Sequence, residues 1–421
     1  MKNIIKLASG IEGITDNELR EVLEELLKSV GKHLKKILLL PPDFTRMHSG
    51  AGKITAMIYS MLKDSVQVDV MPALGTHVPM TKEETDVFFE GVVPFEKVIP
   101  HRWREDVVSL GEIPAGFVAE VSDGLMSEPV PVEINKRLLD ESYDLIVSIG
   151  QVVPHEVVGM ANYTKNILVG CGGKDTINIS HMLGAVFGME KVMGKDHSPV
   201  RKVLDYAQEQ FLNKLPLVYI LTVTTSSEDK VKIEGVFAGN ERKIFEEAVE
   251  LSRQKNLTWM DKPIKKAVVY LDPREFKSTW LGNKAIYRTR MAMADCGELI
   301  ILAPGVRKFG EDDTIDALIR KYGYKGREYV LEQYKKNADL RENPSAAAHL
   351  IHGSSDGRFH ITYAVKHLTK EEVESVGFGY LPYDEAVKKY KPEGIKDGYY
   401  DSGDDTWFYI SNPALGLWTV S

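Results

Sequence analysis

Short apolar, β-branched runs alternate along this chain with amphipathic stretches, and this alternation most restricts the folds it can adopt. Runs that predict strands lie at 37–41, 66–72, 143–150, 215–223, 267–271 and 299–302. Amphipathic stretches that predict helices lie at 16–30, 52–63, 241–254, 312–321 and 324–336. Strands and helices in alternation build mainly parallel sheets covered by helices.

A polar, proline-containing stretch at 261–266 separates one set of strands and helices from the next. The chain has 421 residues, which is enough for two domains with cores of their own. We therefore predict two α/β domains, 1–262 and 263–421, with mainly parallel sheets and the active site in the cleft between them.

Charge and cysteine content exclude several classes of protein. The formal net charge of −8 argues against nucleic acid or an anionic membrane as the main partner. Two cysteines, Cys171 and Cys296, are too few for a disulfide scaffold or a thiolate-rich metal site. No uninterrupted apolar run reaches the length of a membrane span, so cytoplasmic residence is the expectation.

Three early strands end directly in polar clusters. Asp43, Thr45 and Arg46 follow the first, His77 follows the second, and His155 follows the third. In open α/β sheets ligands bind at the carboxyl ends of the strands, so the three clusters are expected to converge. An arginine fork suits a carboxylate, and a histidine exchanges protons near neutral pH.

Each cluster also has a purely structural interpretation. Asp43 is a candidate helix cap that pairs with Arg46, and His77 a candidate hydrogen-bonded loop residue. For His101, which lies near another strand end, the structural interpretation is the favoured one.

The segment from His155 to His181 has the highest density of candidate site residues. Lys165 lies 10 residues after His155, and His181 lies 16 residues after Lys165, with Gly170, Gly172 and Gly173 between. Imidazole is a good nickel ligand, and a buried lysine amine can become a nucleophile. The spacing matches no common zinc motif. Cys171 is interpreted as a small buried residue rather than a ligand.

In order and spacing these motifs resemble those of the lactate racemase family, the nickel-pincer-nucleotide enzymes. The resemblance rests on the Asp-x-Thr-Arg of residues 43–46, the Gly-x-His ending at His77, the Pro-His-Glu around His155, and the lysine and histidine that follow. It covers the N-terminal two-thirds clearly and the C-terminal third only in general pattern. It implies an isomerase, a racemase or epimerase of 2-hydroxy acids.

The resemblance implies a role for each matching residue. Lys165 matches the lysine that holds the cofactor as a thioamide, and His181 matches the nickel ligand. His77 and His155 match the two acid/base histidines. Arg46 matches the arginine that binds the substrate carboxylate, while Asp43 and Thr45 match residues near the nucleotide. In the second domain Lys284 is the predicted substrate contact, with Arg288 and Arg290 as alternatives.

The implied cofactor is a nickel-pincer nucleotide, a pyridinium mononucleotide (pyridinium-3-thioamide-5-thiocarboxylate) with two sulfur-bearing arms and a carbon–nickel bond. The implied reaction removes the C2 hydrogen as hydride, leaves a planar 2-keto acid, and returns hydride to the other face. A base on each side of the substrate follows from the symmetry of that reaction, and each contributes roughly 10²–10⁴-fold. The family also implies separate cofactor maturation proteins as partners.

Two departures from the family pattern bear on which substrate the protein is expected to bind. Val78 stands where the family commonly has an arginine, and the segment 159–164 replaces a glycine-rich one. Asn162, Tyr163 and Thr164 are expected to add hydrogen-bonding groups beside the reacting centre. A polar site predicts a polyhydroxylated acid, an aldonate, rather than lactate. His349 and His352 are interpreted as a helix end stopped by glycine.

Two other classes of function compete with this one. His77, His155 and His181 could surround zinc in a metal-dependent hydrolase or lyase, but Lys165 has no role there. A non-catalytic cofactor-binding protein needs the lysine anchor but not two bases. No strand–Gly-x-Gly-x-x-Gly–helix unit indicates a nicotinamide dehydrogenase. The oligomeric state cannot be read from the sequence.

Overall fold

A computed structural model describes residues 2–31, 33–227, 230–403 and 405–420. The chain divides into two compact units, the first made of Met1–Ser180 with Val192–Lys255 and the second of His181–Lys191 with Asn256–Ser421. Both units are mixed α/β structures, as predicted.

The strands and helices follow one another as the alternating pattern predicts. The strands are β1 (Ile4–Leu7), β2 (Lys36–Leu40), β3 (Gln67–Val70), β4 (Val107–Ile113), β5 (Val130–Asn135), β6 (Leu145–Gln151), β7 (Pro154–His155), β8 (Gly159–Met160), β9 (Leu217–Ser227), β10 (Lys230–Gly239), β11 (Leu257–Met260), β12 (Ile264–Tyr270), β13 (Met293–Ala303), β14 (His360–Val365), β15 (Gly379–Pro382), β16 (Gly398–Ser402), β17 (Asp405–Ile410) and β18 (Leu417–Val420). The helices are α1 (Asp16–Ser29), α2 (Ala51–Leu62), α3 (Lys82–Phe88), α4 (Ala115–Val121), α5 (Thr164–Leu168), α6 (Lys174–Phe187), α7 (Met189–Val192), α8 (Pro199–Phe211), α9 (Arg242–Asn256), α10 (Thr279–Gly282), α11 (Lys284–Thr289), α12 (Asp313–Tyr322), α13 (Arg327–Lys336), α14 (Ala338–Arg341), α15 (Pro344–His352), α16 (Lys370–Ser375) and α17 (Tyr383–Tyr390). Short 3₁₀ helices lie at Phe44–Ser49, Phe95–Lys97, Lys136–Leu139 and Pro413–Leu415.

The first unit is built on a six-stranded sheet in the order β1-β10-β9-β6-β2-β3. β9, β6, β2 and β3 pair in parallel, and β1, β10 and β9 pair antiparallel. The three early strands predicted from sequence are therefore neighbours, and their carboxyl ends lie at one edge. The apolar run of β2 is fully buried from Ile37 to Leu40, as expected for a strand covered on both faces.

Local sequence signals explain where the helices begin. Thr15 caps α1 with a capping box, in which its hydroxyl accepts from the backbone of Glu18 and the Glu18 carboxylate accepts in return. α1 then buries Leu19, Leu23 and their neighbours against the sheet. Among the described residues, no helix combines the length and apolar character that crossing a bilayer requires.

The second unit is built on another six-stranded sheet, ordered β15-β14-β13-β12-β17-β16, with a separate β11–β18 pair. The pairs from β15 to β17 are parallel, and only the edge strand β16 runs antiparallel within this sheet. Both large sheets are thus mainly parallel, which confirms the predicted fold class.

The division of the chain differs from a single cut at 262/263. The units separate at Lys255/Asn256, and the segment His181–Lys191 groups with the second unit. Within the second unit, the Nε of buried Arg290 lies 2.7 Å from the carboxylate of Glu190 in this segment. Composition marks a linker but does not reveal such long-range contacts.

Candidate functional site

Asp43 follows the first of the three strand ends and organises the turn after it. Its carboxylate oxygen Oδ1 accepts hydrogen bonds from the Thr45 backbone N–H (3.0 Å) and from the Thr45 hydroxyl (2.5 Å). It therefore caps the 3₁₀ helix Phe44–Ser49, as the structural interpretation predicted. The exposed guanidinium of Arg46 donates instead to Thr45, at 3.3 Å to the carbonyl and 3.1 Å to the hydroxyl.

His77 lies in the loop after β3 and contacts Asp43. Its Nδ1 is 2.5 Å from the Asp43 Oδ2. About half of the His77 side chain is exposed, whereas the Asp43 carboxylate is buried. Gly75, at a φ of +59°, donates its N–H to the Gly170 carbonyl at 2.8 Å. The loop that carries His77 is thereby attached to the glycine-rich segment after Lys165.

The charge state of Asp43 follows from its neighbours. Burial alone would raise the pKa of this carboxyl. The hydrogen bond from His77, the charge of His77, the Thr45 hydroxyl and the charge of Arg46 outweigh burial and hold the pKa below its usual value. Asp43 is therefore an acceptor-only carboxylate at neutral pH.

His155 ends β7, which pairs with β8 in a two-residue ladder just beyond β6. The backbone N–H of Val157 donates to its Nδ1 at 3.1 Å. The carboxylate of Glu156 lies 3.9 Å from the same nitrogen. The imidazole is mostly buried, with 14% of the side chain exposed.

Lys165 lies on α5, a short helix tied to the carboxyl ends of two strands. The neighbouring Asn166 donates from its side-chain amide to the Leu40 carbonyl (3.1 Å) at the end of β2 and to the Ser148 hydroxyl (2.8 Å) in β6. These bonds hold α5 against the sheet edge where the Asp43 turn begins.

The amine of Lys165 is unusually acidic for a lysine. Burial lowers its pKa to about 8, and the positive charges of Arg46 and Arg201 act in the same direction, against the opposing charges of Glu156 and Asp43. These charges place Lys165 in the electrostatic surroundings of the Asp43–His77 pair. A neutral amine is the nucleophilic form, so near neutral pH a larger fraction of Lys165 than of an ordinary lysine is in that form.

Arg201 is a residue of this region that the sequence interpretation missed. Its fully buried guanidinium donates to the carbonyls of Met160 (2.7 Å) and Asn162 (3.0 Å) and to the Thr164 hydroxyl. Asn162 and Tyr163 have φ values of +65° and +57°, which non-glycine residues rarely adopt. Arg201 therefore holds the strained segment that leads into Lys165.

A signal for Arg201 was present in the sequence. On α8 it belongs to the buried face formed by Val200, Val203, Leu204 and Ala207. A charged side chain on an apolar helix face needs buried hydrogen-bond partners, so the pattern predicts a structural role for Arg201.

The polar groups of the segment before Lys165 are largely used within the unit. The Thr164 hydroxyl donates to Asp205 at 2.8 Å, and the Tyr163 hydroxyl accepts from Gln208 at 3.1 Å. The Asn162 side-chain oxygen accepts from the backbone N–H of Tyr163 at 2.7 Å. The expectation that all three side chains add hydrogen-bonding groups beside the reacting centre is therefore wrong for Tyr163 and Thr164.

Two other residues have structural positions, as predicted. Buried His101 lies 3.0 Å by its Nε2 from the Gly172 carbonyl and 2.9 Å by its Nδ1 from the Asn135 amide. Burial lowers the pKa of this imidazole. Cys171 is fully buried, which raises the pKa of its thiol to about 12 and makes it a poor source of thiolate.

The predicted site residues of the second unit lie on helices. His181 is a partly buried residue of α6. Lys284 begins α11, with its ammonium 3.5 Å from the Glu275 carboxylate. The alternative Arg290 is buried and pairs with Glu190 and, at 3.4 Å, with Asp356.

The histidines of α15 end that helix before Gly353, as predicted. His349 is hydrogen-bonded on both ring nitrogens, at 2.8 Å to the Tyr287 hydroxyl and 2.9 Å to the Tyr324 hydroxyl. Trp280 stacks on its ring with the centroids 4.1 Å apart. This arrangement is a buried aromatic network within the second unit.

One group in the described part of the chain is close enough to share a cation, made of Asp196, His197 and Glu246. Arg242 lies 3.5 Å from each of the two carboxylates and offsets part of their charge. None of the histidines predicted for a zinc centre belongs to this group.

Similarity to known proteins agrees with these observations. Residues 8–194 match the family model described as the lactate racemase N-terminal domain. The lactate racemase of Thermoanaerobacterium thermosaccharolyticum is 26% identical over 223 residues, which are 52% of this chain and 47% of that protein. The match thus spans about half the length of this curated relative.

Two solved structures share the fold over almost the whole chain. A protein from Thermotoga maritima is similar with a TM-score of 0.81 and 25% identity, covering 97% of this chain and 99% of that one. The lactate racemase apoprotein from Thermoanaerobacterium thermosaccharolyticum is similar with a TM-score of 0.71 and 18% identity, covering 95% and 92%. Residues 8–194 are thus similar to the lactate racemase N-terminal domain, and almost the whole chain shares the fold of a solved lactate racemase.

Proposed function

We propose that this protein is an isomerase that inverts C2 of a 2-hydroxy acid with a nickel-pincer nucleotide as cofactor. The similarity of residues 8–194 to the lactate racemase N-terminal domain supports a racemase or epimerase. The observation that carries the proposal is that the turn of Asp43 and Arg46, the loop of His77 and the helix of Lys165 lie at one edge of the first sheet, although these three segments are distant in sequence. The family resemblance assigns a role to each of them.

Lys165 and His181 are the residues proposed to hold the cofactor. Lys165 fits a covalent attachment, because its largely buried amine has a pKa of about 8 and can act as a nucleophile. His181 offers an imidazole, which is a suitable ligand for nickel. When bound, the cofactor would supply a reversible acceptor for the C2 hydride of the substrate.

The chain's own residues are proposed to bind the acid and move its hydroxyl proton. The exposed guanidinium of Arg46 would hold the substrate carboxylate through two parallel hydrogen bonds. His77 would take the hydroxyl proton of one stereoisomer and His155 that of the other. Lys284 is a further proposed contact of the substrate.

A finer proposal concerns the acid itself, which we propose to be an aldonate. It is supported by Val78, whose side chain is 82% exposed where the family commonly has an arginine, and by the altered segment 159–164. Of the three polar side chains in that segment, Asn162 remains the candidate for contacts to additional hydroxyls. Exchange of the C2 hydrogen in lactate, malate and a panel of aldonates tests it, and exchange in lactate alone would reject the aldonate.

The proposed function is tested by mass, metal content and turnover of protein produced with the cofactor maturation proteins that the family implies. We expect an adduct that maps to Lys165, one nickel per chain, and inversion of a 2-hydroxy acid. Lys165→Ala should lose the adduct, whereas the exposed Lys174→Ala should keep it. Stoichiometric zinc in a colourless active enzyme would instead indicate a hydrolase or lyase.

The two-base assignment is tested separately from cofactor attachment. His77→Ala and His155→Ala should each lower turnover by roughly 10²–10⁴-fold while the adduct on Lys165 remains. His367→Ala, a change of an exposed histidine, should leave both unchanged. Turnover that survives both active-site changes would contradict the assignment. An intact adduct without any turnover in the wild-type protein would indicate a cofactor-binding protein.

A further inference from the structure

His77 and His155 have opposite hydrogen-bond partners at the same ring nitrogen. The Nδ1 of His77 faces the Asp43 carboxylate at 2.5 Å. The Nδ1 of His155 faces the backbone N–H of Val157 at 3.1 Å. A carboxylate only accepts and an amide N–H only donates, so the two contacts require opposite protonation of Nδ1.

For His77 the Asp43 contact requires a hydrogen on Nδ1. The other carboxylate oxygen of Asp43 is already occupied by the two donors of Thr45, so the whole group is used as an acceptor. With the proton on Nδ1, a neutral imidazole keeps its lone pair on Nε2. His77 can then gain and lose a proton at Nε2 without changing its contact to Asp43.

For His155 the Val157 contact requires a lone pair on Nδ1. The proton of the neutral ring must then lie on Nε2, which becomes a hydrogen-bond donor. The N–H of Val157 belongs to the turn between β7 and β8, whose pairing of His155 with Gly159 limits its freedom to move away. The backbone therefore selects the tautomer of this histidine.

We propose that Asp43 and the Val157 peptide preset the neutral rings of the two histidines in opposite tautomers, with a lone pair on Nε2 of His77 and a hydrogen on Nε2 of His155. The proposal rests on the proposed function: at rest His77 can accept the hydroxyl proton at Nε2, whereas His155 can accept it there only after its own proton moves to Nδ1 and the Val157 contact breaks. Asp43 is accordingly a positioning residue for His77 rather than a contact of the cofactor nucleotide. Thr45 links it to Arg46, so that the base and the carboxylate-binding group belong to one hydrogen-bonded chain.

Nitrogen-15 NMR of the apoprotein labelled at histidine tests the proposal without any turnover. Spectra are recorded at rising pH until the signals of both rings stop changing, so that the neutral forms are compared. Spectra of His77→Gln and His155→Gln identify the two signals. We expect the proton on Nδ1 in His77 and on Nε2 in His155. The same tautomer in both rings would overturn the proposal.

Asp43→Asn is the decisive variant because it keeps the shape of the side chain and replaces one acceptor oxygen with an NH₂ group that donates. Its amide oxygen would keep the two Thr45 hydrogen bonds, and its NH₂ would then face Nδ1 of His77. The expected result is a switch of His77 to the Nε2–H tautomer and a loss in kcat of roughly 10²–10⁴-fold, the value of general base catalysis. Asp69→Asn, which changes a carboxylate of β3 that accepts from Tyr143, should alter neither.

The outcomes separate the two proposals. An unchanged His77 tautomer in folded Asp43→Asn protein would overturn the positioning role. If Asp43→Asn does not fold, the wild-type spectrum alone decides between the two tautomer assignments. Opposite tautomers in a protein that shows no isomerase activity would support the preset histidines and reject the proposed function.

Discussion

The guanidinium of Arg201 donates a 3.0 Å hydrogen bond to the carbonyl of Asn162, a residue held at a φ of +65°. The same buried group bonds to Met160 and Thr164, so that one side chain supports both sides of the strained turn before Lys165. The Cζ atom of the Arg201 guanidinium also lies 4.4 Å from the centroid of the Phe245 ring, over one of its faces.

Removing the Arg201 guanidinium should destabilise the first unit strongly. Arg201→Met leaves two buried carbonyls without their donor and weakens the pairing of Asp205, so the expected loss in unfolding free energy is about 3–5 kcal/mol. Urea denaturation measures it. The control Arg320→Met removes a partly exposed pair with Asp316 and should cost less than about 1 kcal/mol. Equal losses would show that Arg201 has no special structural role.

Lys165 should be labelled by amine reagents at lower pH than an ordinary lysine. Burial lowers its pKa to about 8, so acetylation by acetic anhydride in the apoprotein should rise with pH through about 8. A free lysine side chain, with a pKa of about 10.4, is the reference. Mass spectrometry of the peptide measures the rate, and a profile that coincides with the reference would contradict the shift.

The same shift affects folding in a defined direction. The unfolded chain binds the Lys165 proton more tightly than the folded chain, so stability rises with pH between about 8 and the ordinary lysine value of 10.5. Lys165→Met should remove this part of the pH dependence. Urea denaturation at the two ends of the window compares the two proteins.

One of the two cysteines should react with a thiol reagent in the native protein. Cys296 is exposed, whereas burial raises the pKa of Cys171 to about 12 and also shields it from the reagent. Titration with a chromogenic disulfide should therefore find one thiol per native chain and two in denaturant. Native Cys296→Ala protein should not react, and a full reaction there would contradict the burial of Cys171.

His101 should make the protein less stable as the pH falls. Burial lowers the pKa of the folded imidazole, so the unfolded chain binds more protons below the ordinary value of about 6.5. The stability present above that value is lost as the pH falls through and below it. His101→Gln should show a smaller loss in urea denaturation between neutral and acidic pH, whereas the exposed His367→Gln should behave as wild type.

Much of the fold could be predicted from the sequence because the responsible interactions are local or periodic. The apolar run of β2 requires burial on both faces, and the capping box of Thr15 and Glu18 determines where α1 begins. The cap that Asp43 forms was predicted for the same reason, since its partner Thr45 is two residues away. The roles assigned to Lys165 and His181 came from the spacing shared with a family.

The sequence by itself determined the alternating elements, the order of the strand-end clusters and the candidates Arg46, His77, His155 and Lys165. Only the tertiary structure decided that Asp43 pairs with His77, that Arg201 supports the turn before Lys165, and that the segment 181–191 groups with the second unit. These features depend on side chains that are far apart in the chain and meet only after the sheet order has formed. Hydrogen bonds and burial act over a few ångströms, so sequence distance carries little information about them.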